Sequence, residues 1–228
     1  MKKLHKIFFL FFLLIILSTF NPNNFKTYKP IINLNLFDIS QIDISNNHII
    51  PEEEIRLKLQ NLKGKNIFFI TKEDILNPIK SFTFLHNMEI KKKYPKTIKL
   101  KIYEEKPIGI IIKNNQKFYI CKSSKLIPYD KNLKFNTLPG IFGEESEIYL
   151  VNFIKTLKKN KFPVEKVKNY YFFKVGRWDV ELANDQIIKF PFKKVVESIN
   201  KSNELLNRED FKKYKVIDLR ISGKIITE

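Results

Sequence analysis

The sequence predicts an α+β protein with three parts: an amino-terminal apolar helix, a small strand-helix-helix-strand-strand unit, and a β-rich carboxy-terminal region with flanking helices. Three observations carry this. An uninterrupted apolar run follows three lysines at the start, a strict two-residue alternation runs from Ile98 to Ile102, and turn signals separate several short apolar segments after Pro107. With 228 residues, 43% hydrophobic and 14% aromatic, the chain can bury a real core, which excludes a disordered or collagen-like protein. Cys121 is the single cysteine, so a disulfide scaffold and a cysteine-rich zinc site are both excluded.

The first element is the amino-terminal helix. Lys2, Lys3 and Lys6 precede an apolar run from Ile7 to Leu17, and lysines on that side stay cytoplasmic. Residues 1–6 are therefore expected as a cytoplasmic start, 7–20 as a single transmembrane signal anchor and 21–36 as a tether. At ~1.5 Å per residue the span is short of a bilayer core of about 30 Å, which fits a cleavable signal peptide as well. The exit Ser18-Thr19-Phe20-Asn21-Pro22 lacks the small-residue pair of a cleavage site, which favours an uncleaved anchor.

Residues 37–105 form the small unit. Gln41 to Ser45 alternates like a half-buried strand, and Asn46-Asn47 marks a turn. Pro51 and Glu52-Glu53-Glu54 suit a helix start, with Ile55, Leu59 and Leu62 on one face and Gly64 at the end. Ile67 to Ile70 reads as a short buried strand. Thr71 with Asp74 three residues on is a capping-box pattern, and Pro78 keeps the helix that follows brief. Two strands follow, through Met88 and Ile90 and then Ile98, Leu100 and Ile102, leaving a lysine-bearing face in water.

Residues 106–228 form the β-rich region. Ile108 to Ile112 and Lys117 to Cys121 read as strands, and Leu138-Pro139-Gly140 punctuates the chain. Glu144 to Lys159 reads as an amphipathic helix through Ile148, Val151, Ile154 and Leu157. Val164 to Val175, Trp178 to Leu182 and Gln186 to Phe190 read as strands, the last two joined through Asn184-Asp185. Phe192 to Leu206 is expected to be helical, with Val196, Ile199 and Leu206 inward. Lys215 to Ile221 and Lys224 to Thr227 close the chain as strands around Ser222-Gly223.

The charge and the motifs narrow the function. The formal charge is +18, from 42 Lys+Arg against 24 Asp+Glu, but only four of the cations are arginine and Ala183 is the sole alanine, the mark of codon bias in an AT-rich genome. Lysines scattered from Lys2 to Lys224 make no clustered footprint, so no nucleic-acid partner is expected. His5, His48 and His86 have no metal spacing, and there is no phosphate loop or nucleophile elbow, so no metal, cofactor, small-molecule substrate or catalytic residue is expected. Glu104-Glu105 point to opposite faces of a strand, which suits a charged strand end better than an acid/base pair. Trp178 is expected in the core with Arg177 solvated, in preference to a cation-π ligand site. What is left is an interaction protein. Lys224-Ile225-Ile226-Thr227 is a terminal β-branched segment that either offers an open edge to a partner's strand or simply pairs inside the sheet.

The residues also match a known pattern, in order. Lys63-Gly64-Lys65-Asn66-Ile67-Phe68, Tyr94-Pro95-Lys96-Thr97-Ile98-Lys99-Leu100-Lys101-Ile102, Glu104-Glu105-Lys106-Pro107-Ile108, Leu138-Pro139-Gly140, Arg177-Trp178-Asp179-Val180-Glu181-Leu182 and Ile217-Asp218-Leu219-Arg220 resemble motifs of the bacterial cell-division family FtsQ/DivIB, in its alphaproteobacterial form. Asn46-Asn47, Lys106 and Cys121-Lys122-Ser123-Ser124 depart from the family's usual residues. The resemblance implies that 37–105 is a POTRA domain. It also implies a non-enzymatic divisome organiser of the inner membrane and septum that joins FtsB and FtsL in the periplasm. The FtsB strand would add along Arg220, Ile221, Ser222, Gly223, Lys224, Ile225, Ile226 and Thr227, with Arg220 and Lys224 meeting acidic side chains. The alternative from another class is a periplasmic POTRA-type chaperone or transport accessory for exported polypeptides.

Overall fold

The computed structural model describes residues 2–19, 34–135 and 137–228. Most of the tether expected at 21–36 and Phe20 of the expected span lie outside the described residues. Helix α1 runs Lys2–Thr19, and its side chains from Leu4 to Leu17 are exposed. No helix among the described residues is long and apolar enough to cross a membrane; the 18 residues of α1 include Lys2, Lys3 and Lys6.

The first unit is a three-stranded sheet under two short helices. Strand β1 (Gln41–Ser45) is followed by α2 (Glu52–Lys58), α3 (Lys72–Ile79), β2 (Leu85–Lys93) and β3 (Thr97–Glu104). The spatial order is β1-β3-β2, with β1 parallel and β2 antiparallel to β3. The alternation of β3 is the reason it sits in the centre: Ile98, Leu100 and Ile102 are fully buried against Ile55, Leu59, Ile75 and Ile79, while Lys99 and Lys101 face water. Helix α3 starts where the capping box predicts. Asp74 N–H donates to Thr71 Oγ1 at 3.2 Å, and Thr71 N–H donates to Asp74 Oδ2 at 2.8 Å. Ile67 to Ile70 differs from expectation. It is a turn, held by Ile67 N–H to the Phe37 carbonyl, that sends Ile67 and Ile70 into the core and leaves Phe68 and Phe69 outside.

The second unit is a nine-stranded sheet. Its strands are β4 (Pro107–Lys113), β5 (Gln116–Cys121), β6 (Leu126–Pro128), β7 (Gly140–Phe142), β8 (Val167–Phe173), β9 (Arg177–Leu182), β10 (Ile187–Lys189), β11 (Val216–Asp218) and β12 (Ile226–Thr227). They lie in the order β12-β11-β10-β9-β8-β7-β4-β5-β6, so β12 and β6 are the two edges. Helices α4 (Ser146–Lys159) and α5 (Val195–Leu206) cover the face that carries Tyr170, Trp178, Val180, Ile188 and Ile217. The Leu138-Pro139-Gly140 punctuation leads straight into β7, a central parallel strand. Gly143 just beyond it has φ +106°, and a Cβ there would meet the Phe172 carbonyl oxygen at 2.2 Å, so only glycine fits.

Both helices are turned somewhat from the faces the sequence suggests, with Leu157 and Ile199 inward as expected and Ile154 and Leu206 packed at the margin of the core. In α4 the buried residues are Ser146, Leu150, Phe153 and Leu157, while Ile148 is exposed. In α5 they are Ile199, Ser202 and Leu205, and Val196 is exposed. The final strands are shorter than expected, because Leu219 to Ile225 forms a turn in which Lys224 N–H reaches the Ile221 carbonyl.

The boundary between the units is not a boundary in the core. Tyr119, Cys121 and Ile127 of β5 and β6 are buried in the first unit's cluster, and the Tyr119 ring lies 6.1 Å from Phe84 and 5.1 Å from Phe135. Polar contacts cross at the same place. Ser123 Oγ donates to buried Glu105 at 2.7 Å, His86 Nδ1 lies 3.1 Å from the same carboxylate, and Lys125 Nζ donates to the Thr83 carbonyl at 2.6 Å.

Candidate partner-binding edge

Backbone pairing defines what β12 can offer. Val216 and Glu228 exchange both of their N–H···O bonds, at 3.1 and 3.2 Å, so this is a hydrogen-bonded pair of the antiparallel ladder. Ile217↔Thr227 is the next pair, and by alternation the N–H and C=O of Thr227 turn away from β11. No strand among the described residues covers that flank. Of the two readings the sequence leaves open, the segment thus does both: it pairs inside the sheet on one side and is open on the other.

Side chains make the rim of this edge basic and apolar. A groove of about 940 Å³ runs between the start of α5 and the turn from Leu219 to Ile225. Six cations line it, Arg177, Lys193, Lys194, Lys201, Arg220 and Lys224, against the single carboxylate of Glu197. Phe192, Ile221 and Ile225 are exposed beside it. Sequence reasoning singled out Arg220 through Thr227 but missed Phe192, Lys193 and Lys194, which arrive from some thirty residues upstream. A bulky exposed phenylalanine followed by two lysines was the available signal.

The expected residues take different roles. Ile221, Ser222, Gly223, Lys224 and Ile225 form the exposed turn, with Gly223 at φ +77°, and Ile226 and Thr227 form the strand. Lys224 makes no ion pair among the described residues. Arg220 differs from expectation: its Nε donates to both oxygens of Asp218 at 2.9 Å and its Nη2 to Oδ2 at 2.5 Å, so this guanidinium is already held from within. That clamp belongs to a charged row across the sheet, in which Asp179 of β9 faces Lys189 of β10, and Lys189 faces Asp218 of β11. Burial would raise the Asp218 carboxyl, but the hydrogen bonds from Arg220 hold it below its ordinary value. For Asp179 burial prevails and pushes the carboxyl up, even with Arg177, Arg220 and Lys189 near, and its Oδ1 has no hydrogen-bond partner. Trp178 is in the core as expected, stacked on Phe153 at 5.0 Å, whereas Arg177 lies over the Phe173 ring at 4.2 Å.

The other tempting groups are structural. Glu104 accepts the backbone N–H groups of His48, Ile49 and Ile50 at 3.0, 2.9 and 2.7 Å, which closes the turn after β1. Burial pushes the Cys121 thiol up to about 12. No group of metal-binding side chains is found among the described residues.

Comparison with known proteins adds the following. Residues 37–105 match the family described as POTRA domain, FtsQ-type. A cell division protein FtsQ of Rickettsia conorii is 30% identical over 201 residues, covering 84% of this chain and 72% of that one. The corresponding protein of Rickettsia bellii is 29% identical with the same coverage, and that of Agrobacterium fabrum is 24% identical over 82% of this chain and 60% of its own length.

Proposed function

Because the chain belongs to the FtsQ family of bacterial cell-division proteins, we propose that it works in the divisome as an organiser that runs no reaction of its own. It binds FtsB- and FtsL-type partners by backbone strand addition. The partner strand pairs along the outer flank of β12, taking the N–H and C=O of Thr227, while an acidic, amphipathic stretch of the same partner lies in the basic groove. Helix α1, short for a full span by itself, holds the protein in the inner membrane as a single-pass anchor by snorkelling of Lys6 and local thinning of the bilayer, with the β domain in the periplasm and the assembly at the septum.

The observation that carries this reading is the unpaired flank of β12 beside six cations and exposed isoleucines. Proline at Thr227 removes an outward donor and leaves the bonds to β11 in place, and proline at Ile225 stiffens the turn that leads into the strand. Thr227→Pro is expected to lower capture of a purified FtsB-type partner at least about tenfold with an unchanged unfolding midpoint, the loss of roughly one hydrogen bond together with strand fit. Capture at wild-type strength by both variants would remove the edge from the mechanism. Uniform envelope fluorescence of a fusion, in place of a septal band, would favour the chaperone reading.

A further inference from the structure

The first unit carries a second exposed surface, far in sequence from β12. Phe69 is 82% exposed, Leu36 55%, Phe68 53% and Tyr94 52%. Leu36 and Phe69 are the chain neighbours of Phe37 and Phe68, which with Tyr94 are in ring contact. The Phe68 ring packs between Phe37 and Tyr94, 4.9 Å from each, so the turn at Asn66–Phe69, the β2–β3 turn and the entering chain share one aromatic cluster. A hydrophobic group of this size facing water marks a binding surface. Its surroundings are basic: residues 61–70 and 91–97 hold six lysines and no acid, and Lys92 Nζ reaches the Phe68 carbonyl at 3.4 Å. Two carboxylates lie nearby, Asp38, which bridges to Asn66, and Asp74, which feels the charge of Lys65.

The position of this cluster in the chain points to its occupant. The one-turn helix Leu34–Phe37 is the first described segment after α1, and it packs directly on Phe68. Fourteen residues, 20–33, separate it from Thr19. Fully extended they reach at most about 50 Å, so this end of the domain stays within reach of any bilayer that holds α1. Exposed aromatic rings with Lys92 against them and further lysines on the same two turns suit the interface of an anionic membrane, with the rings at the headgroup level and the cations on lipid phosphates.

We propose that the cluster of Leu36, Phe68, Phe69 and Tyr94, with Lys65, Lys92 and Lys96, docks the first unit onto the anionic surface of the membrane that holds α1. This builds on the anchoring proposed above. Docking holds the first unit against the bilayer.

The test uses the full chain in phosphatidylcholine vesicles with about 30% phosphatidylglycerol, and in phosphatidylcholine alone. A fluorophore is attached at Phe69→Cys or, as the comparison, at Lys159→Cys in the second unit; the buried, poorly ionised Cys121 does not compete for the label. Quenching by brominated acyl chains is expected to be at least about threefold stronger at 69 than at 159, to need the anionic lipid, and to fall in the Lys65→Gln, Lys92→Gln, Lys96→Gln variant. Equal quenching at the two positions, or quenching indifferent to lipid charge and to the lysines, overturns the proposal and leaves the aromatic patch to a protein partner. Retention on vesicles through an alkaline carbonate wash reads the α1 anchor separately, so either reading can fail alone.

Discussion

Asp179 and Glu181 lie two residues apart on the same face of β9, yet their environments push their carboxyls in opposite directions. Glu181 accepts from Asn169 Nδ2 at 2.8 Å and Tyr171 Oη at 2.6 Å and pairs with Lys168, which holds its carboxyl below its ordinary value. Its contribution to stability is therefore complete above about pH 4.5 and lost as pH falls through the lower folded value. Asp179 has a raised carboxyl, so its contribution is favourable at low pH and fades as pH rises from about 3.8 through the folded value. Urea unfolding at pH 7 should show Glu181→Gln less stable by about 1 kcal/mol and Asp179→Asn as stable as the parent or more so. Near pH 3 both differences should shrink. Loss of stability in Asp179→Asn at pH 7 would mean that its three neighbouring cations outweigh burial. Glu104 gives a further check at this scale: Glu104→Gln leaves one or more of the N–H groups of residues 48–50 without a charged acceptor and should cost about 1–3 kcal/mol in the same assay.

Helix α4 is the element on which the second core turns, because Phe153 stacks on Trp178 with an interplanar angle of 5° and meets Phe190 edge-on. Phe153→Ala should cost about 3–5 kcal/mol and shift the emission of the single tryptophan to the red. An unshifted spectrum would place the indole elsewhere. The same helix shows where sequence reading ends. Its existence was legible, but its face only in part: Leu157 was right, yet the periodic set through Ile148 and Val151 is as regular as the true one, and only the position of the sheet selects Ser146, Leu150 and Phe153. Strand β3 was legible because its alternation has no rival, with isoleucine and leucine against lysine at every step. Ile67 to Ile70 misled for the opposite reason, since four apolar residues in a row carry no period and the two ends alone go inward. At the candidate edge the strand residues were readable from β-branching at the terminus. The lysines from the start of α5 reach this edge only through the fold's long-range pairing, which no local spacing records, whereas the partner of Arg220 is Asp218, two residues away, a local signal that was there to be read.

At the scale of the molecule, the decisive contact is the one that joins the two units. Phe84 belongs to the first unit by sequence and packs on Tyr119 of the second, while Trp178 reports from the middle of the second core. Phe84→Ala is expected to cost about 3–5 kcal/mol and to lower the unfolding midpoint read by tryptophan fluorescence along with that read by circular dichroism. If the tryptophan signal keeps its midpoint while the other moves, the units unfold separately. Alkylation of Cys121 offers a second view. Burial pushes the thiol up to about 12, so at pH 8 it should resist iodoacetamide in the parent and react faster in Phe84→Ala.

The shared wall around Tyr119 also governs how this protein can be recombined with its relatives. A chimera cut between Glu105 and Lys106, where the sequence suggests a clean join, would strip Phe84 of Tyr119 and Glu105 of Ser123, leaving a void and a buried carboxylate short of a donor. A graft that keeps Tyr119, Ser123, Lys125 and Ile127 with the first unit carries its own lid along and is the one expected to express as a folded hybrid.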